Sequence, residues 1–487
     1  MNTYTKAGAV LALTLVGAGC SDFLQGPGLT ENPNNPSTGT ALQQLVAVAA
    51  NMATRLEGQV ARCAGVYTQQ LIGSNNQQLT YCTQYAVTEA DISGQMNGFY
   101  TGGGLLALRN IQAAAQASGD NLLLGIAKVW EGLAMGTATS VWGDLPYSEA
   151  VDPTIAEPNL DSQESIYAAV QARLDEGIAA LQAALAGASG NCAPLEGDVI
   201  YCAAAGSRAT QIQRWIRAAY TLKARFHLHL VERNGTAEYG LALAAAQNGI
   251  SEAPTGPTPQ AIASQAMNGQ APGDFRTFHG TTQDFDANVW AEFLSTRQDI
   301  VAGNTLIQIL KARNDPRLAA YFDANAKGQF IGSDQNNVAV PKDSAPSVIN
   351  TGVRRQFAFR QPIVTWAENQ LILAEAKYMT GDSAGAVVNV DAVRAAVGMP
   401  ALGNVSFTDV MTEKYIAMYQ NIDVWSDFKR TCIPAVTPFG TATEVLGRLP
   451  YGSAERTSNP HIPLPSAYPA GTTGSSPVRN WNDPNPC

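Results

Sequence analysis

The chain has 487 residues, of which 45% are hydrophobic and 14% are charged, so it is long enough to bury a large core. Its net charge of −10 argues against a nucleic-acid-binding role, because phosphate groups attract clusters of Lys and Arg that this sequence lacks. Charged residues are scarcer than the ~25% of an average soluble domain, and Asn, Gln, Thr, Gly and Ala fill the gap. Such a surface suits uncharged partners such as sugars or peptide backbones.

The N-terminus has the features of an export signal. Lys6 precedes an apolar stretch at residues 7–16, and small residues follow directly before Cys20. A basic start, a short apolar core and small residues at a cleavage point are typical of a secretory signal. The apolar stretch is too short to cross a bilayer as a helix, which requires ~20 residues. The sequence therefore predicts a signal peptide at residues 1–19.

The residue after the predicted cleavage point is a Cys, as in a lipobox, where that Cys is acylated and becomes the first residue of the mature protein. Gly17 stands where a Leu is usual, so an ordinary signal peptide with a chance Cys is the alternative. We expect lipid on Cys20, followed by a flexible polar tether over residues 20–40. Several acyl chains would hold the protein on a membrane that it does not span.

Cysteine usage agrees with export. The chain has seven Cys, and lipid on one of them leaves an even number for disulfides. Among the possible pairings we expect neighbours in the sequence to join, which gives Cys63–Cys82, Cys192–Cys202 and Cys432–Cys487. A zinc site is the rival interpretation, but no C-x-x-C occurs and the chain has only four His. We therefore predict disulfides formed in an oxidising compartment.

After the tether, apolar residues recur at helical spacing along most of the chain. The clearest segments are residues 41–52, 122–133, 166–185, 211–231, 239–247, 363–379 and 386–397. Asp161, with Glu164 three residues later, is expected to cap the third of these helices. Gly381-Asp382 separates the last two segments, and this helix, turn and helix resemble a tetratricopeptide hairpin. The pattern predicts a mostly α-helical fold.

Four segments have a distinctive sequence. The first, at residues 141–150, reads Val-Trp-Gly-Asp-Leu-Pro-Tyr-Ser-Glu-Ala and ends a long predicted helix. The others are Asn-Asp-Pro-Arg-Leu at 314–318, Glu-Lys-Tyr-Ile-Ala at 413–417 and Arg-Leu-Pro-Tyr at 448–451. In this order they resemble the signature segments of the SusD/RagB-like outer-membrane lipoproteins. Gly452 departs from the pattern, because that family has a second Pro there.

The resemblance extends over essentially the whole mature chain. It implies one α-helical domain at residues 41–487, with helical hairpins resembling tetratricopeptide repeats on one side and a loop-rich ligand and partner face on the other. It also implies an outer-membrane protein that faces the cell exterior and captures a nutrient, either a glycan or a peptide oligomer. The partner would be a SusC-type TonB-dependent transporter, to which the nutrient passes.

The first signature segment is expected to build the fold and not to bind ligand. Gly143 can adopt the positive φ that ends a helix, and Pro146 prevents the helix from continuing. Asp144 and Glu149 can accept hydrogen bonds from backbone N–H groups of the turn. A segment that identifies a family need not mark its ligand site.

No catalytic motif is visible in the sequence. There is no G-x-S-x-G, H-E-x-x-H, Walker loop or dinucleotide fingerprint. His227 and His229 lie two residues apart on a predicted helix, so they point away from each other and are poorly placed to share a metal. We predict a binding protein without catalytic residues, metal or cofactor. The alternatives are a surface glycan hydrolase on a helical scaffold and a purely structural envelope protein.

Candidate ligand contacts must then come from loops. Sugar rings stack their C–H faces on aromatic side chains, and their hydroxyls need amide, carboxylate or guanidinium partners. Two polar stretches combine such residues. The first contributes Asn75, Asn76, Gln77, Gln78, Tyr81 and Tyr85, and the second contributes Phe275, Arg276, Phe278, His279, Phe285 and Trp290. The alternative for each aromatic residue is a place in the core.

Overall fold

A computed structural model describes residues 39–192, 197–283, 286–463 and 479–487. The predicted signal peptide, Cys20 and Phe285 lie outside these ranges. Within them the protein is mostly α-helical, as the hydrophobic pattern predicts, and its strands are two or three residues long.

The α-helices are α1 (Ala41–Leu56), α2 (Gln59–Tyr67), α3 (Glu89–Asn97), α4 (Leu105–Ser118), α5 (Asn121–Trp142), α6 (Gln163–Ala186), α7 (Cys202–Ala205), α8 (Arg208–Leu228), α9 (Val231–Asn234), α10 (Ala237–Ala246), α11 (Pro259–Met267), α12 (Val289–Ser295), α13 (Asn304–Ala312), α14 (Arg317–Tyr321), α15 (Trp366–Met379), α16 (Ser383–Ala396), α17 (Phe407–Ala417), α18 (Val424–Thr431) and α19 (Ser453–Ser458). A π-helix, π1, covers Gln78–Thr83.

The strands are β1 (Leu71–Gly73), β2 (Phe275–Arg276), β3 (Ile300–Ala302), β4 (Phe322–Asp323), β5 (Gly332–Ser333), β6 (Ala339–Val340), β7 (Val348–Ile349) and β8 (Pro362–Val364). They form four antiparallel pairs, β1 with β3, β2 with β8, β4 with β7 and β5 with β6. The pair β1–β3 joins the polar loop after β1 to the segment before β3.

Polar side chains determine where the long helix α6 begins. Ser162 is its cap and accepts a hydrogen bond from the backbone N–H of Ser165 at 3.2 Å. The prediction that Asp161 caps this helix is therefore wrong by one residue. The Asp161 carboxylate instead accepts from the backbone N–H groups of Tyr147 and Ser148, at 2.9 and 2.7 Å, and holds the signature turn.

The helices pack in succession: α1 on α4, α4 on α5, α5 on α6, α6 on α8, α8 on α10, α10 on α15, and α15 on α16 and α17. This succession of helical hairpins confirms the predicted tetratricopeptide-like architecture. Gly125 and Gly132 allow α5 to approach α6 closely, since a Cβ at either position would lie 2.5–2.6 Å from a Leu side chain of α6. Large aromatic side chains fill the interior, among them the fully buried Trp130 and Trp215.

Three disulfides connect the pairs predicted from sequence proximity: Cys63–Cys82, Cys192–Cys202 and Cys432–Cys487, with Cα–Cα distances of 4.8, 5.4 and 5.2 Å. The first joins α2 to π1, and the last holds the C-terminal residue against the end of α18. None of the helices in the described ranges is long and apolar enough to cross a membrane.

Candidate functional site

The first signature segment is bound to the last one. The backbone N–H of Leu449 donates to the carbonyl of Val141 at 3.0 Å, and the Trp142 indole N–H donates to the carbonyl of Pro450 at 3.0 Å. The Tyr451 hydroxyl donates to the carbonyl of Asp144 at 2.8 Å. Segments that are about 300 residues apart in the chain thus hold each other in place.

Side chains within the first segment also stabilise the turn. Gly143 has φ 77° and ends α5. The Asp144 carboxylate accepts from the backbone N–H of Gln163 at 2.8 Å, and Glu149 accepts from the backbone N–H of Asn159 at 2.8 Å. The hydrogen bonds agree with the expected structural role of this segment.

The second and third signature segments meet in a buried charge cluster. Arg317 pairs with Asp315 at 2.6 Å and with Glu413 at 2.5 Å, and Arg394 approaches Glu413 to 3.2 Å. Arg313 also pairs with Glu413. Burial alone would raise the pKa of Glu413, but the surrounding guanidinium groups lower it below its ordinary value. These segments too are structural.

One buried arrangement resembles a catalytic triad. The Tyr167 hydroxyl lies 3.0 Å from His229 Nδ1, and His229 Nε2 lies 3.1 Å from an Asp423 oxygen. Both Tyr167 and His229 are at most 1% exposed, so a substrate has no access to them. His227 pairs instead with Glu238 at 2.7 Å. Both histidines therefore have structural partners, as their spacing suggested.

The first predicted ligand cluster is divided between surface and core. Asn75 and Asn76 are exposed, and Tyr81 is half-buried. Gln78, in contrast, is fully buried and donates to Gln59 Oε1 at 2.7 Å, while Tyr85 is 6% exposed and packs among aromatic rings. The structure therefore removes Gln78 and Tyr85 from the ligand candidates, because their side chains complete the core beside the Cys63–Cys82 disulfide.

The second predicted cluster is divided in the same way. Trp290 is fully buried in the core, so it is unsuited to stacking on a sugar. Arg276 is half-buried in β2, and Phe285 lies outside the described residues. Among the described aromatic side chains of this stretch, Phe278 is the most exposed, with 48% of its surface accessible. Trp290 is thus a correction to the sequence prediction, and Phe278 is the residue that presents an open aromatic face.

Three separate segments converge beside the surviving residues of the first cluster. Asn76 Nδ2 donates to Asp299 Oδ1 at 3.0 Å, and Ser74 Oγ donates to the carbonyl of Gln298 at 3.1 Å. Asn337 Nδ2 donates to the carbonyl of Ser74 at 3.1 Å. These bonds bring together a surface rich in side-chain amides, which we call the amide face: Asn75, Asn76, Gln77, Gln298, Asn336 and Asn337.

The amide face is accessible. Asn75, Gln298 and Asn336 are exposed, and within the described part of the chain their side-chain amides make no hydrogen bond. Tyr81 of π1 lies beside this loop, and its hydroxyl hydrogen-bonds to Asp91, which raises the pKa of the phenol. Amides that donate and accept, next to a half-buried aromatic ring, are suited to sugar hydroxyls and C–H faces.

Sequence reasoning missed half of this face. The missed residues are more than 200 positions away from Asn75 in the sequence, and hydrogen bonds such as Asn76–Asp299 bring them together only in the folded chain. They are Gln298, Asn336 and Asn337. A weak signal was present, since Asn336 and Asn337 belong to a long polar stretch in the sequence. No aromatic residue stands next to them, so the pattern used to find the other clusters did not mark them.

A small cavity elsewhere lies between Tyr321, Arg354 and Tyr419, with Trp366 and Asn421 also in its wall, and has a volume of about 20 Å³. That is room for about one water molecule. Among the described residues, no group of three or more His, Cys, Asp or Glu is placed to hold a metal ion.

The fold is similar to solved structures of SusD-type proteins. A SusD/RagB family protein from Bacteroides thetaiotaomicron is 20% identical, with 92% of this chain and 100% of that chain covered and a TM-score of 0.66. A chitin-binding SusD homolog from Flavobacterium johnsoniae is 17% identical, with 91% and 98% covered and a TM-score of 0.68. A SusD homolog from Bacteroides uniformis is 18% identical, with 92% and 100% covered and a TM-score of 0.68. At these identities the likeness concerns the fold.

No curated protein matches the chain. A SusD-like family model matches residues 33–452, which is most of the sequence. The family is described as starch-binding and associating with the outer membrane. The chain is thus a member of the SusD-like family of starch-binding proteins that associate with the outer membrane.

Proposed function

We propose that this protein is a lipid-anchored outer-membrane protein that captures a glycan oligomer on its amide face and passes it unchanged to a SusC-type TonB-dependent transporter. The observation that carries this proposal is the set of exposed amides for which the described part of the chain provides no hydrogen-bond partner, Asn75, Gln298 and Asn336. The description of the family as starch-binding favours a glycan over a peptide. Two structural neighbours are named chitin-binding, so chitin oligomers are further candidates.

The chemistry of the face favours weak, reversible capture. Each amide can exchange a hydrogen bond with water for one with a sugar hydroxyl, at a net gain of about 1 kcal/mol. The flanking segments are fixed by Asn76–Asp299, Ser74–Gln298 and Asn337–Ser74 bonds, so little ordering is needed when ligand binds. A shallow polar surface buries little apolar area, which suits a protein that must release its ligand.

Calorimetry with a panel of starch, chitin and peptide oligomers tests capture. We expect binding of a glycan by the wild type and about 100-fold weaker binding by the triple variant N75A/Q298A/N336A, from about 1 kcal/mol per amide. The matched control is Q116A/Q182A, which removes exposed amides from α4 and α6 and should leave the affinity unchanged. Chromatography of the recovered oligomer should show no cleavage. Cleavage, or equal affinity in the triple variant, would contradict the proposal.

Transfer to a transporter needs a separate experiment. The protein purified from its native membrane in mild detergent should bring with it a large β-barrel receptor that depends on TonB. Purification of the triple amide variant provides the control, because loss of ligand contacts on this face should not by itself remove the anchor. Purification without any receptor would contradict the transport part of the proposal and leave glycan capture intact.

A further inference from the structure

A guanidinium group next to the amide face is buried, and among residues 39–192, 197–283, 286–463 and 479–487 no carboxylate pairs with it. Arg62 of α2 has only 7% of its surface exposed. Its Nη2 donates a long hydrogen bond to Gln59 Oε1 at 3.4 Å, and its buried Nε and Nη1 atoms have no acceptor. Buried charges are ordinarily paired, because removing an ion from water costs several kcal/mol. An unpaired buried arginine is therefore unusual and calls for an explanation.

A second arginine lies over the same aromatic ring. The Arg62 guanidinium carbon is 4.1 Å from the ring centroid of Phe293 in α12, and that of Arg297 is 5.2 Å from this centroid. Phe293 is half-buried, whereas Arg297 is exposed. We call these three residues the arginine platform. The negative face of the ring attracts both cations, but it does not neutralise them.

The two cations also repel each other. Burial, followed by the neighbouring charge of Arg297, lowers the pKa of Arg62 to about 9. In the described part of the chain neither Arg62 nor Arg297 has an ion pair with a carboxylate. Two adjacent arginines that no described carboxylate pairs with form a local concentration of positive charge, although the chain as a whole has a net charge of −10.

The arginine platform adjoins the amide face. Arg297 directly precedes Gln298, whose carbonyl is bound by Ser74. Gln59 links Arg62 to π1, because its side-chain oxygen accepts a hydrogen bond from Arg62 and another from the Gln78 amide nitrogen, the latter at 2.7 Å. An oligomer that lies on the amides can therefore extend one of its units over Arg297.

We propose that the arginine platform binds an anionic substituent, a carboxylate or a sulfate, on the captured oligomer, so that the ligand is an acidic glycan. Arg297 at the surface offers the forked N–H pair that matches a carboxylate or sulfate. Arg62 is buried, so it would attract the anionic substituent without touching it, and its charge acts in a region of low dielectric constant. This inference rests on the proposed glycan capture and names the chemical class of its ligand.

Calorimetry with matched oligomers provides the test. The probes are oligogalacturonate for the carboxylate, a heparin oligosaccharide for the sulfate, and neutral chitin and starch oligomers of similar length. We expect the wild type to bind one of the anionic oligomers at least tenfold more tightly than the neutral ones, with affinity that falls as salt rises. Comparison of the two anionic probes tells a carboxylate from a sulfate.

Variants distinguish the roles of the two arginines. R297Q should bind the anionic oligomer about tenfold more weakly than the wild type. R297K should lose less affinity, because lysine keeps the positive charge but lacks the paired N–H donors of arginine. R62M should weaken anionic binding severalfold and raise the thermal midpoint without ligand, because it removes an unpaired buried charge. Both R297Q and R62M should reduce the affinity for the anionic oligomer more than the affinity for neutral oligomers. The control R233Q changes an arginine far from this site in sequence and should alter neither affinity.

The outcomes separate this inference from the proposed function. Equal affinity of the wild type for neutral and anionic oligomers, or an R297Q variant that binds the anionic oligomer normally, would overturn the acidic-ligand assignment while capture of glycans stands. Failure of every glycan to bind would overturn both. Tight anionic binding that is lost in R297Q and weakened in R62M would support the arginine platform.

Discussion

Replacement of Glu413 by Gln should strongly destabilise the protein. The Glu413 carboxylate is buried and forms ion pairs with three guanidinium groups: Arg317 at 2.5 Å, Arg394 at 3.2 Å, and Arg313. Arg317 is only 1% exposed, so the loss of one negative charge leaves part of its charge uncompensated inside the protein. Removal of one partner from a buried ion pair costs about 3–5 kcal/mol. Asp315 remains beside Arg317 and keeps the expected loss near 3 kcal/mol.

Urea unfolding, followed by circular dichroism at neutral pH, measures this loss. The matched control is D175N, since Asp175 is exposed and its ion pair with Lys223 should contribute less than about 1 kcal/mol. Because the folded pKa of Glu413 is lowered, its contribution is present above the unfolded pKa of about 4.3 and is lost as the pH falls through the folded value. The difference between wild type and E413Q should therefore shrink in acid. An E413Q variant within about 1 kcal/mol of wild type at neutral pH would refute this reasoning.

Three further predictions concern the disulfides, a buried carboxyl group and the anchor. Replacing Cys432 and Cys487 by Ser should cost up to about 4 kcal/mol in urea unfolding, because that bridge closes a separation of 55 residues; an unchanged midpoint would contradict this. Burial raises the pKa of Asp274 to about 7, so the folded state binds this proton more tightly than the unfolded chain and stability falls as the pH rises from about 4 to about 7; D274N should remove that part of the pH dependence of the thermal midpoint. The variant C20A should appear in the soluble fraction, and persistence in the membrane pellet would argue against lipid on Cys20.

The sequence was sufficient to predict seven of the longer helices, α1, α5, α6, α8, α10, α15 and α16, whereas others such as α4 were not predicted. The information for the predicted helices is local: apolar spacing predicts α5, and the Gly143 position predicts its end at Trp142. The one-residue error at α6 has a local cause too. Asp161 and Ser162 are both good caps, and the choice depends on the Tyr147 and Ser148 N–H groups, which the chain brings to Asp161 only after folding.

The ligand candidates were harder to predict, because exposure is a property of the folded chain. An aromatic residue in a polar stretch can face solvent, as Phe278 does, or fill the core, as Trp290 does, and the flanking sequence does not distinguish the two. The amide face depends on the β1–β3 pair and on the Asn337–Ser74 bond, both of which join residues distant in sequence. Reasoning from one segment at a time found Asn75 and Asn76 but not Asn336.

The most direct test of the account is a crystal structure of the protein with the tightest-binding oligomer from the glycan panel. The account predicts sugar density on the amide face, with hydroxyl groups within hydrogen-bond distance of the side chains of Asn75, Gln298 and Asn336. An oligomer bound only at another aromatic surface, such as the exposed ring of Phe278, would contradict the assignment of the binding site.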